Sequence, residues 1–197
     1  KICVAWDEGF HFFYLDNMEC FKRSGVEMVQ FSPLKDSELP QNLDGLLIGG
    51  GFPEIYAETM SENYSMRRSL KKAIVSGMPC YAECGGLMLL AESLQTREGQ
   101  SYPMTGMIPG SVRMTERLQH FGYCQARFEE GRSFRGHEFH YSNWEEESNL
   151  ANAWTVRRHA DGSERKEGYQ RGNLHASYVH LYFPKAAQVL SPLFGLD

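Results

Sequence analysis

Residues 79–90, Pro79-Cys80-Tyr81-Ala82-Glu83-Cys84-Gly85-Gly86-Leu87-Met88-Leu89-Leu90, decide how the chain is read. A short apolar run follows a proline, one cysteine and two glycines interrupt it, and a run of helix formers leads away. That order describes a strand, a tight turn and a helix. A residue at the apex of such a turn is forced into an unfavourable backbone conformation, so the positions two before and two after it must be small for strand and helix to approach. Ala82 and Gly86 meet that requirement around Cys84. The free N–H groups that open the helix favour a thiolate at the apex, and the first of them can donate to an oxyanion. Cys84 is therefore a candidate nucleophile and Gly85 a candidate donor. A buried structural cysteine is the alternative that this segment alone leaves open.

Upstream, strands and helices alternate. Ile2 to Trp6 fits a buried strand broken by Asp7-Glu8-Gly9, and Tyr14, Met18 and Phe21 recur at helical spacing before Gly25. Glu27 to Phe31 and Asp44 to Ile48 read as two further strands, and Met66, Leu70, Ala73 and Ile74 as the apolar stripe of a helix stopped by Gly77 and Pro79. Strands separated by crossover helices predict an α/β fold with a doubly wound, mainly parallel sheet. The third strand runs into Gly49-Gly50-Gly51-Phe52-Pro53-Glu54. Three glycines allow a close backbone approach, so their N–H groups can face a site at the strand's C-terminal end, where ligands bind in parallel sheets. An ordinary glycine turn is the plain alternative. No Gly-Lys-Ser/Thr follows, so this is not a phosphate loop and no nucleotide is expected on this chain.

Downstream of a helix read over Leu87 to Leu94, the pattern changes. His120 to Phe128, Phe134 to Tyr141 and Ala153 to Arg158 read as strands without intervening helices, and Asp161-Gly162 is a hairpin signal. This half is expected to extend the sheet and add antiparallel pieces. Residues 172–183 offer one more strand, after which Pro184 is placed to open a final helix. That strand supplies two candidate bases, His175 and His180. Five residues apart, they face opposite ways on one regular strand, so only one of them can address Cys84.

With 197 residues the chain is long enough for one substantial domain, 1–197, and short for two. Its formal net charge of −5, with basic residues interrupted by acids around Arg157 to Glu167, argues against nucleic acid as a partner. No run is long enough to span a bilayer and no signal peptide is visible, which predicts a soluble, cytoplasmic protein without a membrane partner. Five irregularly spaced cysteines suit a reducing compartment. Cys3, Cys20, Cys80 and Cys124 sit in apolar patterns as structural residues, and no zinc spacing is present. A start at Lys1, directly on an apolar strand, suggests a fragment of something longer.

A nucleophilic cysteine needs a histidine to move its proton and donors for the oxyanion. Cys84, one of His175 and His180, Gly85 and the glycines at 49–51 supply those parts at successive strand ends. Together with Gly136-His137-Glu138-Phe139-His140-Tyr141-Ser142 and Ala176-Ser177-Tyr178-Val179-His180-Leu181, the two glycine motifs resemble class I glutamine amidotransferases. More narrowly, they resemble the glutaminase domain of the cobyrinate a,c-diamide synthases, over essentially the whole chain. The resemblance implies that Cys84 attacks the side-chain amide of glutamine, that His180 is the base, and that Gly50, Gly51 and Gly85 line the oxyanion and substrate site. It further implies an N-terminal synthetase domain, absent here, that binds ATP and magnesium and amidates the a and c carboxylates of a corrinoid acceptor.

Two positions depart from the wider class. Tyr182 stands where most members carry a glutamate two residues after the histidine, and Glu138 is a candidate substitute for that orienting acid, although a structural placement is the commoner fate of such a carboxylate. Met88 stands where many members have glutamine, which suits packing. His137 and His140, three apart on a strand, face opposite sides and make a shared metal improbable. Two other readings fit the same sequence: a catalytically silent docking domain of an amidoligase, and another cysteine hydrolase on this fold. Release of ammonia from glutamine separates them.

Overall fold

The computed structural model describes residues 1–128, 131–146, 150–183 and 194. The first half holds β1 (Ile2–Ala5), α1 (Leu15–Arg23), β2 (Met28–Phe31), β3 (Gly45–Ile48), α2 (Ala57–Glu62), α3 (Tyr64–Val75), β4 (Cys80–Glu83) and α4 (Gly85–Leu90), with a 3-10 turn at Pro53–Tyr56 before α2. The second half is nearly all strand: β5 (Ser93–Gln95), β6 (Ser101–Pro103), β7 (Ser111–Met114), β8 (His120–Arg127), β9 (Ser133–His140), β10 (Ser142–Glu145), β11 (Trp154–Arg158), β12 (Glu164–Glu167), β13 (Tyr169–Arg171), β14 (Leu174–Ser177) and β15 (His180–Leu181).

Six strands form the central sheet in the order β13-β14-β4-β3-β1-β2, all parallel except the edge pair β13 and β14. Every residue of β1, β3, β4 and β14 is buried, as expected for strands covered on both faces. The period of two sorts their side chains into two cores. Cys3, Ala5, Leu46, Ile48, Cys80 and Ala82 pack with Met66, Leu70 and Ile74 of α3 and with α4, whereas Ile2, Val4, Leu47 and Tyr81 face Phe21 of α1 and Cys124, Ala126, Trp154 and Val156. The α3 stripe is as the spacing predicts. Asn63 caps that helix by accepting from the Met66 N–H, and Gly77, at φ +97°, ends it where a side chain would be strained.

The second half extends the central sheet and adds antiparallel pieces, as its strand pattern predicts. Only β13 and β14 join the central sheet; β12-β11-β8-β9-β15 form a separate antiparallel sheet over the second core, and β10-β7-β5-β6 a third. The helix read over Leu87 to Leu94 ends at Leu90, because Ala91 turns extended (ψ 174°) and Leu94 enters β5. A continuous apolar run does not by itself separate buried helix from buried strand. The C-terminal stretch is likewise two strands. The Tyr178 N–H is taken by Glu167 (2.7 Å) and the Val179 N–H by the Ser177 hydroxyl (2.9 Å), so the ladder stops at Ser177 and the chain crosses to the antiparallel sheet as β15. Pro184 and the helix expected after it lie outside the described residues. Among the described residues, no helix is long and apolar enough to cross a membrane.

Candidate active site

The C-terminal ends of β3, β4 and β14 converge, and the turn after β4 sets the geometry. Cys84 sits at φ 48°, ψ −101°, outside the ordinary left-handed basin, a conformation that costs on the order of 1–3 kcal/mol. The surroundings hold it there. Its N–H donates to the Ser177 carbonyl (2.7 Å), and its carbonyl accepts from Met88 N–H (3.2 Å). A Cβ on Gly86 would stand 2.4 Å from the Ile48 carbonyl oxygen and 3.1 Å from Ala82 Cβ, which is why the turn needs small residues on both sides. Met88 is packed in the core, with the Ser142 hydroxyl 3.9 Å from its sulfur.

Crossing to β15 brings His180 to Cys84, and both are nearly closed to solvent, at 4% and 6% exposure. The imidazole is fixed from several sides: it meets Phe12 edge-on (4.9 Å between centroids), stacks on His137 (4.8 Å, 19°) and lies against Gly50. Its Nδ1 stands 3.4 Å from Glu83 Oε2, within ion-pair range but without hydrogen-bond alignment. Burial works against a charge on this ring, yet interaction with Cys84 and then Glu83 outweighs it and raises its pKa to about 10. The arrangement thus favours an imidazolium beside the sulfur. His137, desolvated and repelled by His180, is lowered to about 4 and is neutral; its Nδ1 is 2.5 Å from the Tyr14 hydroxyl.

Each of the three glycines after β3 answers to a particular neighbour. A Cβ at Gly49 would strike the Phe13 ring (2.4 Å), at Gly50 the Cε1 of His180 (2.4 Å), and at Gly51, where φ is +153°, the Gly9 carbonyl oxygen (2.1 Å). The peptide between Gly50 and Gly51 is pinned, because its carbonyl accepts from Phe12 N–H (3.1 Å). In a trans peptide the N–H points opposite to the C=O, so the Gly51 N–H is turned away from Phe12. A Cβ on Gly85 would come within 3.4 Å of that same nitrogen and 3.0 Å of Pro53 Cδ, which places the Gly51 and Gly85 backbones side by side at the head of α4.

A profile of the CobB/CobQ-like glutamine amidotransferase domain matches residues 1–188. The chain belongs to this family. Relatives named cobyrinate a,c-diamide synthase include one from Listeria innocua, 44% identical over 205 residues that cover 99% of this chain and 44% of the relative, and one from Syntrophotalea carbinolica, 42% identical over 193 residues that cover 93% and 42%. The chain therefore spans less than half the length of these relatives. Among solved structures, a glutamine amidotransferase superposes with a TM-score of 0.71 at 18% identity over 98% of both chains, and the PurLQS structure from Thermotoga maritima with 0.60 at 16% identity over 96% and 90%. At that identity they show the shared fold.

Within this amidotransferase domain, Cys84, His180, Gly50, Gly51 and Gly85 come together, whereas Glu138 does not join them. One residue along β9 from His137, it points to the strand's other face, where it is buried in an ion pair with Arg165 and lies 3.7 Å from His140 Nε2. The carboxylate that does face His180 is Glu83 of the elbow strand, whose position two residues after Tyr81 puts both on one face of β4. His137, whose sequence spacing from His140 bears only on a shared metal, stacks on His180 instead. His175, the alternative base, is buried in the second core, stacked on Tyr81 (5.2 Å, 13°) and against Trp154 (4.3 Å), and desolvation lowers it to about 3. Tyr182 turns outward and donates to Asp16 (2.9 Å). Cys3, Cys80 and Cys124 are buried, with thiol pKa values pushed up mainly by desolvation, while Cys20 is half-buried. Among the described residues, no group of three or more histidine, cysteine, aspartate or glutamate side chains is arranged to hold a metal ion. A cavity of about 1110 Å³ opens beyond Tyr14, lined by Tyr123, Arg135 and Arg157 among others, and Cys84 is not one of its walls.

Proposed function

We propose that this chain hydrolyses glutamine to glutamate and ammonia through a thioester on Cys84. The observation that carries the reading is the convergence of a strained cysteine at a strand-to-helix turn, a buried histidine beside it and the pinned Gly50-Gly51 peptide. In this reading the Cys84 thiolate attacks the side-chain amide carbon, and the charge that develops on oxygen is met by the backbone N–H groups of Gly51 and Gly85, worth ~100- to 1000-fold in rate per well-placed donor. The His180 imidazolium gives its proton to the departing nitrogen, and ammonia leaves. The neutral imidazole then takes a proton from water as it attacks the thioester, and glutamate is released with the thiolate restored.

The ammonia serves a larger reaction. Relatives roughly twice as long carry the name cobyrinate a,c-diamide synthase, which supports a role in amidating the a and c carboxylates of a corrinoid in cobalamin biosynthesis. The synthetase portion, with its ATP and magnesium, would activate those carboxylates, and this domain would supply the nitrogen in the cytoplasm. The test is glutamate and ammonia release from glutamine by the chain, followed by glutamine-dependent amidation once the synthetase portion, ATP and acceptor are present. A chain that releases neither product contradicts the proposal.

A further inference from the structure

The position two residues after the histidine is occupied by Tyr182, whose hydroxyl is engaged at the surface with Asp16. A carboxylate reaches the histidine from another strand. Glu83 directly precedes the nucleophile and, two residues after Tyr81, shares its face of β4, the face that looks toward the antiparallel sheet and β15. It is 5% exposed. Its two oxygens have different partners: Oε1 accepts from the Tyr81 hydroxyl (2.9 Å) and the Leu181 N–H (3.0 Å), and Oε2 lies 3.4 Å from His180 Nδ1. Two donors therefore hold the carboxylate in one orientation and leave the other oxygen to the imidazole.

We infer that Glu83 is the positioning acid of this site, fixing the ring of His180 so that Nε2 addresses Cys84. This rests on the reading of Cys84 and His180 as the glutaminase pair. The groups that face His180 are Cys84 and Glu83 from β4 and its turn, neutral His137 from β9 with Tyr14 behind it, and the uncharged Phe12 and Gly50. Among these, only Glu83 offers a carboxylate. Acid and nucleophile are consecutive in the chain, so the strained turn that sets Cys84 also sets the distance from Glu83, and the imidazole bridges the two. An amide in place of the carboxylate would still accept from Tyr81 and Leu181 through its carbonyl, but would turn an N–H toward Nδ1 and favour the tautomer that leaves Nε2 protonated.

The experiment is the pH dependence of glutamine hydrolysis by Glu83→Gln and Tyr81→Phe in the complete synthase. Glu83→Gln is expected to lose about 100-fold in kcat with KM little changed, since general acid–base assistance contributes ~10²–10⁴-fold. Its alkaline limb, which reports loss of the imidazolium, should move down by about 1–3 pH units, the effect of removing an opposite charge at this range. Tyr81→Phe, which keeps the carboxylate, should retain the limb. An unshifted limb and undiminished kcat in Glu83→Gln overturn the inference. Should that variant fail to fold, His180 is titrated by NMR in Cys84→Ser: a pKa above that of a free histidine supports the pairing with Glu83, and one at or below it overturns it. If Cys84→Ser retains glutaminase activity, the underlying reading fails instead, which separates the two failures.

Discussion

Replacing Gly50 by alanine tests the packing of the site more sharply than removing a catalytic group. Gly50 has no positive φ, so an alanine meets no backbone strain there; it meets the imidazole. The added Cβ would lie 2.4 Å from His180 Cε1, against ordinary contacts of 3.4–4 Å, so ring and turn must separate by about 1 Å. The ring has nowhere to go. Phe12, His137 and Glu83 hold its other sides. A displacement of about 1 Å between reacting groups costs ~100-fold in rate, equivalent to about 2.7 kcal/mol of barrier. The assay is steady-state release of glutamate, with circular dichroism and a thermal midpoint to show that the variant is folded. Gly99→Ala is the control: at φ +87° with open space around it, it should lower stability by about 1 kcal/mol and leave the rate alone. A folded Gly50→Ala enzyme with the wild-type rate would refute the reasoning.

Three further outcomes concern stability. His175 is held near a pKa of 3 by burial, so the stability that comes from keeping it neutral is present above about 6.5 and is lost as pH falls toward 3; His175→Phe should recover about 2 kcal/mol relative to wild type at pH 5 in urea titrations, and an unaltered acid slope would contradict this. Glu167 is raised to about 7, by desolvation first and then by Glu138, so its contribution is full below about 4.5 and declines as pH rises through 7; Glu167→Gln should flatten that decline. Arg165→Met strands the buried Glu138 carboxylate and should destabilise the fold by about 3 kcal/mol at neutral pH, measured by chemical denaturation; a cost near zero would show that Glu138 relaxes to solvent.

The parallel half of the fold was legible because its strands are short apolar runs separated by helices with readable ends, such as the stripe of α3 before Gly77. The elbow was legible for a steric reason, since the small residues around Cys84 are demanded by contacts with Ile48 and Pro53. The second half was harder. Strands such as β5 to β7 are three or four residues long, and nothing local distinguishes a strand that joins the central sheet from one that starts another. The carboxylate beside His180 is not legible for a related reason: it is distant from the histidine in sequence, and Glu83 meets it only through the crossing from β14 to β15, where Glu167 and Ser177 capture two backbone N–H groups. Glu138 looked equivalent in the sequence, but the period of two turns it away from His180 and toward Arg165.

The central claim is that glutamine is opened on Cys84. Rapid acid quench of the enzyme with labelled glutamine, followed by peptide mass mapping, should recover a γ-glutamyl adduct on the peptide at Cys84 and none on the same peptide in Cys84→Ser, with Cys80 unmodified because its buried thiol is held protonated. Glutamate release without any adduct at Cys84, or an adduct at Cys80, would contradict the account.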